Sequence, residues 1–120
     1  MPRPKLKEKE IQKFILDYLS MNKVGYFWRN NTGAMKGNYK GKGWFVKFGE
    51  IGSADIVGVL CGRFVAIECK GEGIRKLSEN QEKFRDEIDR NGGYYYLAND
   101  LKGFIEWIQE LRNILKTCEK

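Results

Sequence analysis

Apolar side chains recur with helical spacing near both ends of the chain. Residues 7–20 carry a stripe with the spacing i, i+3, i+4, i+7 and i+8, which is typical of an amphipathic helix; its members are Ile11, Phe14, Ile15, Tyr18 and Leu19. A last helix is predicted to follow Asp100, a good N-cap residue. Its apolar side is formed by Leu101, Phe104, Ile105, Ile108, Leu111 and Leu115.

A further helix is predicted in the stretch "LSENQEKFRDEIDRNGG". Ser78 is its N-cap, Gln81 occupies the capping-box position, and the Asn-Gly pair at 91–92 ends it. Phe84 and Ile88 face inward. Gln81 precedes them by one and two helical turns, so we expect its side chain to face the sheet as well.

Aromatic and β-branched runs predict strands between these helices. A Gly-rich and Lys-rich stretch, residues 31–43, shows no periodicity and is predicted to be a flexible basic loop. The resulting order is α-β-β-β-α-β-α. The predicted strands are "VGYFWRN" at 24–30, "WFVKF" at 44–48, "DIVGVL" at 55–60, "FVAIECK" at 64–70 and "YYYLA" at 94–98.

The strands at 55–60 and 64–70 form a predicted hairpin, because a glycine lies in the short connection between them. If the two-residue loop is Gly62-Arg63, Asp55 lies opposite Lys70. Glu68 is then the diagonal neighbour on the same face, since side chains alternate along a strand. Three charged residues therefore converge within two otherwise apolar strands.

Composition limits the chemistry available to the chain. Its 120 residues, 42% hydrophobic and 32% charged, fit a single globular domain spanning 1–120. No apolar run approaches a membrane span, no secretory segment is evident at the N-terminus, and three unpatterned cysteines favour reduced thiols, so we expect a cytosolic protein without a membrane partner. The absence of histidine leaves carboxylates, lysine and metal as the reactive groups.

Charge indicates the class of partner. Twenty-two basic residues against sixteen acidic ones give a net charge of +6, which favours a polyanion, and nucleic acid is the commonest one. An Asp and a Glu on one sheet face, with a Lys two residues after the Glu, suit Mg²⁺ or Mn²⁺ beside a fixed positive charge. Such an ion can polarise a phosphate and activate a water.

The motif "GSAD", followed 13 residues after its Asp by "ECK" and then by "LSENQ", resembles the PD-(D/E)XK nuclease superfamily. More closely it is similar to the VRR-NUC group of small phage and bacterial nucleases, and the resemblance extends from "EKEIQKFILDYL" through "WRNNTG" to "NGGYYYLAND". It implies an α/β fold with a restriction-endonuclease-like core, a mixed central sheet flanked by helices, and metal-dependent phosphodiester hydrolysis.

The resemblance also assigns roles by position. Asp55 and Glu68 would be metal ligands, the backbone carbonyl of Cys69 a further ligand, and Lys70 the catalytic lysine. Gln81 matches the family's helical glutamine, and Glu8 matches the acidic residue of the first helix. Ala54 replaces the proline that usually precedes the Asp; because proline there ligates nothing, we expect little effect on the chemistry.

Each assignment has a structural alternative. Asp55 could be a turn aspartate, Glu68 and Lys70 an ordinary ion pair on a solvated face, and Gln81 only a capping residue. The acid of the first helix could be Glu8 or Glu10, and Glu8 is preferred because it lies nearer the buried stripe.

Basic residues that follow the first predicted strand are candidates for phosphate or base contacts, the alternative being a solvated loop. These are Arg29, Lys36, Lys40 and Lys42.

The predicted function is a Mg²⁺-dependent or Mn²⁺-dependent endodeoxyribonuclease, selective for branched DNA in the manner of a Holliday junction resolvase. Two matched sites on a four-way junction imply a symmetric homodimer, and the resemblance implies the cytoplasm of a bacterial or phage-infected cell. One alternative is a non-catalytic nucleic-acid-binding module on the same fold. Another is a basic scaffold protein without a nucleic-acid role.

Overall fold

The computed structural model describes residues 3–31 and 33–116, which form a small α/β protein. The helices in this part of the chain are α1 (Glu8–Met21), α2 (Glu79–Arg90) and α3 (Leu101–Lys116). Its strands are β1 (Tyr26–Arg29), β2 (Gly33–Tyr39), β3 (Lys42–Phe48), β4 (Ile56–Leu60), β5 (Arg63–Cys69) and β6 (Tyr94–Ala98). None of the helices described combines the length and the apolar character needed to cross a membrane.

Four of the strands form a mixed sheet in the order β1-β4-β5-β6. The β1-β4 and β4-β5 pairs are antiparallel, whereas β5 and β6 run parallel and are joined by α2. This crossover buries both faces of β5, because a parallel connection must return across one face of the sheet.

The main hydrophobic core lies between one face of this sheet and helices α1 and α3. Ile11 and Ile15 of α1 and Phe104 of α3 contribute to the same cluster as Val65 and Ile67 of β5. On the other face a smaller cluster of Ala54, Val57 and Ala66 is covered by Phe84 of α2 and by Tyr95. The charged residues of the predicted site belong to this second, thinner face.

Five strands precede α2 in the structure. The predicted order counts three, and the predicted strands name four, of which 44–48 corresponds to β3. The strand that the sequence missed is β2, which pairs with β3 in a hairpin. Residues 33–43 therefore form strand and turn where the sequence predicted a flexible loop over 31–43; Thr32 lies outside the described residues. Lys40 and Gly41 occupy the turn with φ of 51° and 81°, as a two-residue type I′ loop requires. The indole of Trp44 lies directly over Gly37, where a Cβ would come within 2.2 Å of the ring.

The β4-β5 hairpin turns one residue earlier than predicted. Leu60 pairs with Arg63, so the two-residue loop is Cys61-Gly62 with φ of 50° and 79°. Continuing this register by one pair puts Asp55 opposite Glu68 rather than Lys70. The shift moves partners by two positions, and side chains two apart share a face, so the predicted convergence on one face persists.

Candidate metal centre

Asp55 lies immediately before β4 and is fixed through both its side chain and its backbone. Its Oδ2 accepts a hydrogen bond from the backbone N–H of Cys69 at 2.8 Å. Its carbonyl accepts one from the N–H of Asn30 at 2.7 Å. Asn30 also donates through Nδ2 to the carbonyl of Ala54 at 2.9 Å. The carboxylate is therefore held against β5 before any ligand arrives.

Glu68 is a buried carboxylate with incomplete hydrogen bonding. Its residue is only 3% exposed, and Oε2 accepts from Nε2 of Gln81 at 3.0 Å. Oε1 is buried too and has no hydrogen-bond partner in the described part of the chain. Burial, followed by the charge of Asp55, raises the pKa of Glu68 to about 8, although Lys70 acts in the opposite direction. At neutral pH the ion-free site therefore favours a proton on Glu68, which can be shared with Asp55.

Lys70 continues β5 and carries a mostly buried ammonium. Its side chain is 17% exposed, and Nζ lies 3.8 Å from Oε2 of Glu68. Nζ donates to Oε1 of Gln81 at 3.0 Å. The same Oε1 accepts from the N–H of Ser78 at 2.8 Å, and Gln81 in turn donates its own N–H to Oγ of Ser78. Gln81 therefore caps α2, as the sequence predicted, and also links Glu68 to Lys70; its role in catalysis stays a prediction.

Helix α1 brings a third carboxylate to the site. One oxygen from each of Glu8, Asp55 and Glu68 lies within 4.8 Å of the other two. Glu10 instead accepts a hydrogen bond from the N–H of Lys7 at 2.8 Å and closes the first turn of α1. The geometry thus separates the two helix acids that the sequence left as alternatives.

This donor set fits a small divalent cation. All three side chains offer hard oxygen ligands, which suit Mg²⁺ and Mn²⁺. The buried Oε1 of Glu68, which has no hydrogen-bond partner among the described residues, is a second indication, because a buried carboxylate oxygen without a donor is costly unless a proton or a cation neutralises it. Carboxylates this close also repel one another, and a shared cation would reverse that repulsion.

Cys69 contributes to the site through its backbone. Its N–H binds Asp55, while its side chain belongs to the main core on the opposite face. Burial, and then the charge of Asp55, raises the pKa of the thiol well above its usual range, so the thiol stays protonated and is a poor metal ligand. No described contact bears on the carbonyl of Cys69, whose ligand role stays a prediction.

The predicted nucleic-acid contacts fall on two exposed elements. Arg29 ends β1 and pairs with Ile56, the residue that follows Asp55. Lys36, Lys40 and Lys42 lie on the β2-β3 hairpin, with Lys40 in its turn. All four are exposed, and their role in binding stays a prediction.

Tyr95 is a neighbour of the site that the sequence did not assign. It pairs with Ala66 of β5 and contacts the ring of Phe84 edge-on. Its hydroxyl is buried without a hydrogen-bond partner among the described residues. Burial, and then the charge of Glu68, raises the pKa of the phenol. The sequence has three consecutive tyrosines at 94–96 and does not indicate which of them lies under α2. That depends on the register in which β6 pairs with β5.

Comparisons extend to family models, curated proteins and solved structures. None of the three gives a match to this chain. The similarity to the VRR-NUC nucleases, and with it the restriction-endonuclease-like core, therefore rests on the motifs and stays a prediction.

Proposed function

We propose that the protein is a Mg²⁺-dependent or Mn²⁺-dependent endonuclease that hydrolyses phosphodiester bonds in DNA. The observation that carries the proposal is the convergence of Glu8, Asp55 and Glu68, with a buried oxygen on Glu68 that has no hydrogen-bond partner among the described residues. A binding-only protein gains nothing from carboxylates placed where phosphate must approach, because they repel it. A cation held there removes that repulsion.

Glu8, Asp55 and Glu68 would hold the cation, and when bound it would polarise the scissile phosphate and lower the pKa of a bound water. The hydrogen bond from the Cys69 N–H keeps Asp55 in place. This preorganisation limits the reorganisation needed when substrate binds.

Lys70 supplies the positive charge of the site. Gln81 accepts from its Nζ and so keeps the ammonium beside Glu68. From there Lys70 would orient the attacking water or stabilise negative charge as it develops on the phosphoryl oxygens. Gln81 is a positioning residue in this scheme, since it acts through Lys70 and Glu68.

We extend the proposal to branched DNA cut by a symmetric homodimer, as the motif resemblance implies. Two sites related by a twofold axis match the symmetry of a four-way junction. The net charge of +6 supports a polyanionic substrate without choosing its structure.

The test uses four-way junctions labelled on each strand in turn, with Mg²⁺ or with excess EDTA. We expect paired nicks only with the metal, and sedimentation of the protein as a dimer. Lys70→Ala and Glu68→Ala should reduce the cleavage rate by about 10²-fold or more while junction binding is retained. Lys102→Ala, which removes an exposed lysine on α3, is the matched control.

Several outcomes would contradict the proposal. Cleavage that persists in both site variants would place the chemistry elsewhere. Junction binding with no metal-dependent cleavage, on any labelled strand, would favour the non-catalytic binding module. Cleavage of linear duplex at the same rate would remove the selectivity for branches and leave the nuclease.

A further inference from the structure

The net positive charge of the chain comes from one segment. Residues 18–49 contain six basic residues and no acidic ones, whereas the remainder carries sixteen of each. The whole net charge of +6 therefore belongs to this segment. Most of it lies in the β2-β3 hairpin, which forms a sheet of its own outside the four-stranded sheet.

Exposed aromatic side chains lie among the lysines of this hairpin. Phe45 is 60% exposed and lies directly opposite Lys36 in the register. Asn38 and Gly43 form the same-face pair two residues nearer the turn. We call this set of Lys36, Asn38, Gly43 and Phe45 the Phe45 face. A shallow hollow of about 580 Å³ adjoins all four residues and is lined by Gly37 and Trp44 as well. Gly43 leaves open space there, since a Cβ at this position would meet only the Gly37 carbonyl at 3.9 Å.

The opposite face of the hairpin offers a built-in comparison. Tyr39 is 68% exposed there, but Nζ of Lys40 lies 5.5 Å from its ring centre. Trp44 on that face is packed over Gly37. Tyr39 already has a cation near its ring and Trp44 packs on the backbone of Gly37. Phe45 instead presents an exposed ring opposite Lys36.

The hairpin is anchored at the candidate metal centre. In the sequence, the hairpin lies between β1 and β4, two strands that pair with each other. Asn30, in the segment before the hairpin, joins the segment after it. It donates to Oγ of Ser53 at 2.7 Å and to the carbonyls of Ala54 and Asp55. Seven residues per strand give an arm roughly 23 Å long at about 3.3 Å per residue. The hairpin is therefore tied at its base to Asp55 of the candidate metal centre through Asn30.

We propose that the Phe45 face binds unpaired DNA, with a base stacked on Phe45 and the adjoining phosphate paired with Lys36. Unpaired bases expose their faces to an aromatic ring, whereas bases inside a duplex are covered by their neighbours. The lysine opposite the ring supplies the complementary charge for the backbone. That the bound strand belongs to the DNA that is cut rests on the proposed nuclease function.

The test measures binding of a labelled oligo-dT and of a duplex of equal length by fluorescence anisotropy, in EDTA so that no cleavage occurs. Phe45→Ala should raise the Kd for oligo-dT by about fivefold or more, the scale of one lost stacking contact, and change duplex binding less than twofold. Phe45→Trp should retain binding, and Phe45→Leu, which keeps apolar area without an aromatic ring, should not.

Two matched variants control for general effects. Tyr39→Ala removes a 68% exposed ring from the opposite face, and Met21→Ala removes an 81% exposed side chain at the end of α1. Both should leave the Kd for oligo-dT within twofold. An equal loss with Phe45→Ala and Tyr39→Ala, or with oligo-dT and duplex, would overturn the assignment of the Phe45 face to unpaired bases.

Lys36 and the unaltered protein supply two further readouts. Lys36→Ala should lower the slope of log Kd against log salt by about 0.7 for a single strand, and Lys102→Ala should not. Oligonucleotides carrying 5-iodouracil should crosslink to the wild-type protein at Phe45, which requires no folded variant. Crosslinks found only outside residues 33–48 would overturn the proposal.

The two proposals fail separately. If Phe45→Ala does not weaken binding of oligo-dT, the proposal of metal-dependent cleavage by Glu68 and Lys70 is unaffected. If no cleavage is found, the binding measurements on these variants, made without metal, still decide whether the Phe45 face binds unpaired DNA.

Discussion

Replacement of Glu68 by glutamine tests whether this carboxylate is the group that a cation must neutralise. Glutamine keeps the size of the side chain and its contact with Gln81 but carries no charge. Burial and the charge of Asp55 raise the pKa of Glu68 from an ordinary 4.5 to about 8 in the folded protein. Each unit of that shift corresponds to about 1.4 kcal/mol of folding free energy.

The sign follows from the direction of the shift. Because the pKa of Glu68 is higher in the folded protein than in the unfolded chain, the folded protein holds this proton more tightly. The resulting contribution to the free energy of unfolding is complete below pH 4.5 and is lost as the pH rises through about 8. In EDTA the wild-type protein should lose a few kcal/mol of unfolding free energy, on the order of 3 to 5, between pH 5 and pH 8.5. Glu68→Gln should lack this loss and should be the more stable protein at pH 8.5.

Urea denaturation followed by tryptophan fluorescence measures this difference across the pH range. Adding Mg²⁺ at pH 8 should stabilise the wild type, by about 2.7 kcal/mol at a hundredfold excess over Kd, and should leave Glu68→Gln unchanged. Glu110→Gln, an exposed acid on α3, is the matched control. A stability difference between wild type and Glu68→Gln that is the same at pH 5 and pH 8.5 would refute the reasoning.

Three further predictions concern neighbouring residues. Glu8→Gln should abolish most of the stabilisation by Mg²⁺ measured by calorimetry, whereas Glu10→Gln should keep it; equal effects would remove Glu8 from the site. Tyr95→Phe deletes a buried hydroxyl without a described partner and should raise the free energy of unfolding by about 1 kcal/mol, so a clear loss in urea would reveal a hydrogen bond to that hydroxyl. Gly37→Ala places a methyl 2.2 Å from the Trp44 ring and should alter the near-ultraviolet circular dichroism of the hairpin while stabilisation by Mg²⁺ persists.

The sequence alone predicted the three helices and the sheet face on which Asp55, Glu68 and Lys70 meet. Helical periodicity is a local property, so α1, α2 and α3 begin and end close to their predicted bounds. The β4-β5 turn was misplaced because Cys61, a non-glycine residue, takes a positive φ, which sequence preferences disfavour. The error changed the partner of Asp55 but not its face, because the two registers differ by two residues.

The rest depended on contacts between distant parts of the chain. β2 lacks the hydrophobic alternation that marks a strand, although β3 was predicted as the strand 44–48. The cross-strand packing of Trp44 on Gly37 is visible only once the strands are paired. The position of Tyr95 under α2 follows from the parallel register of β5 and β6. That register is set by the crossover through α2 and leaves no local signal in the sequence.

The amide of Gln81 joins two processes that are usually independent, the fraying of a helix end and the assembly of a site. Its oxygen accepts from Ser78 and from Lys70, and its nitrogen holds Glu68. When the first turn of α2 opens, the ammonium and the buried carboxylate lose their common support in the same event. Hydrogen exchange at the backbone N–H of Gln81, which is bonded to Ser78, therefore reports how often the site comes apart, and a cation that binds Glu68 should slow that exchange from outside the helix.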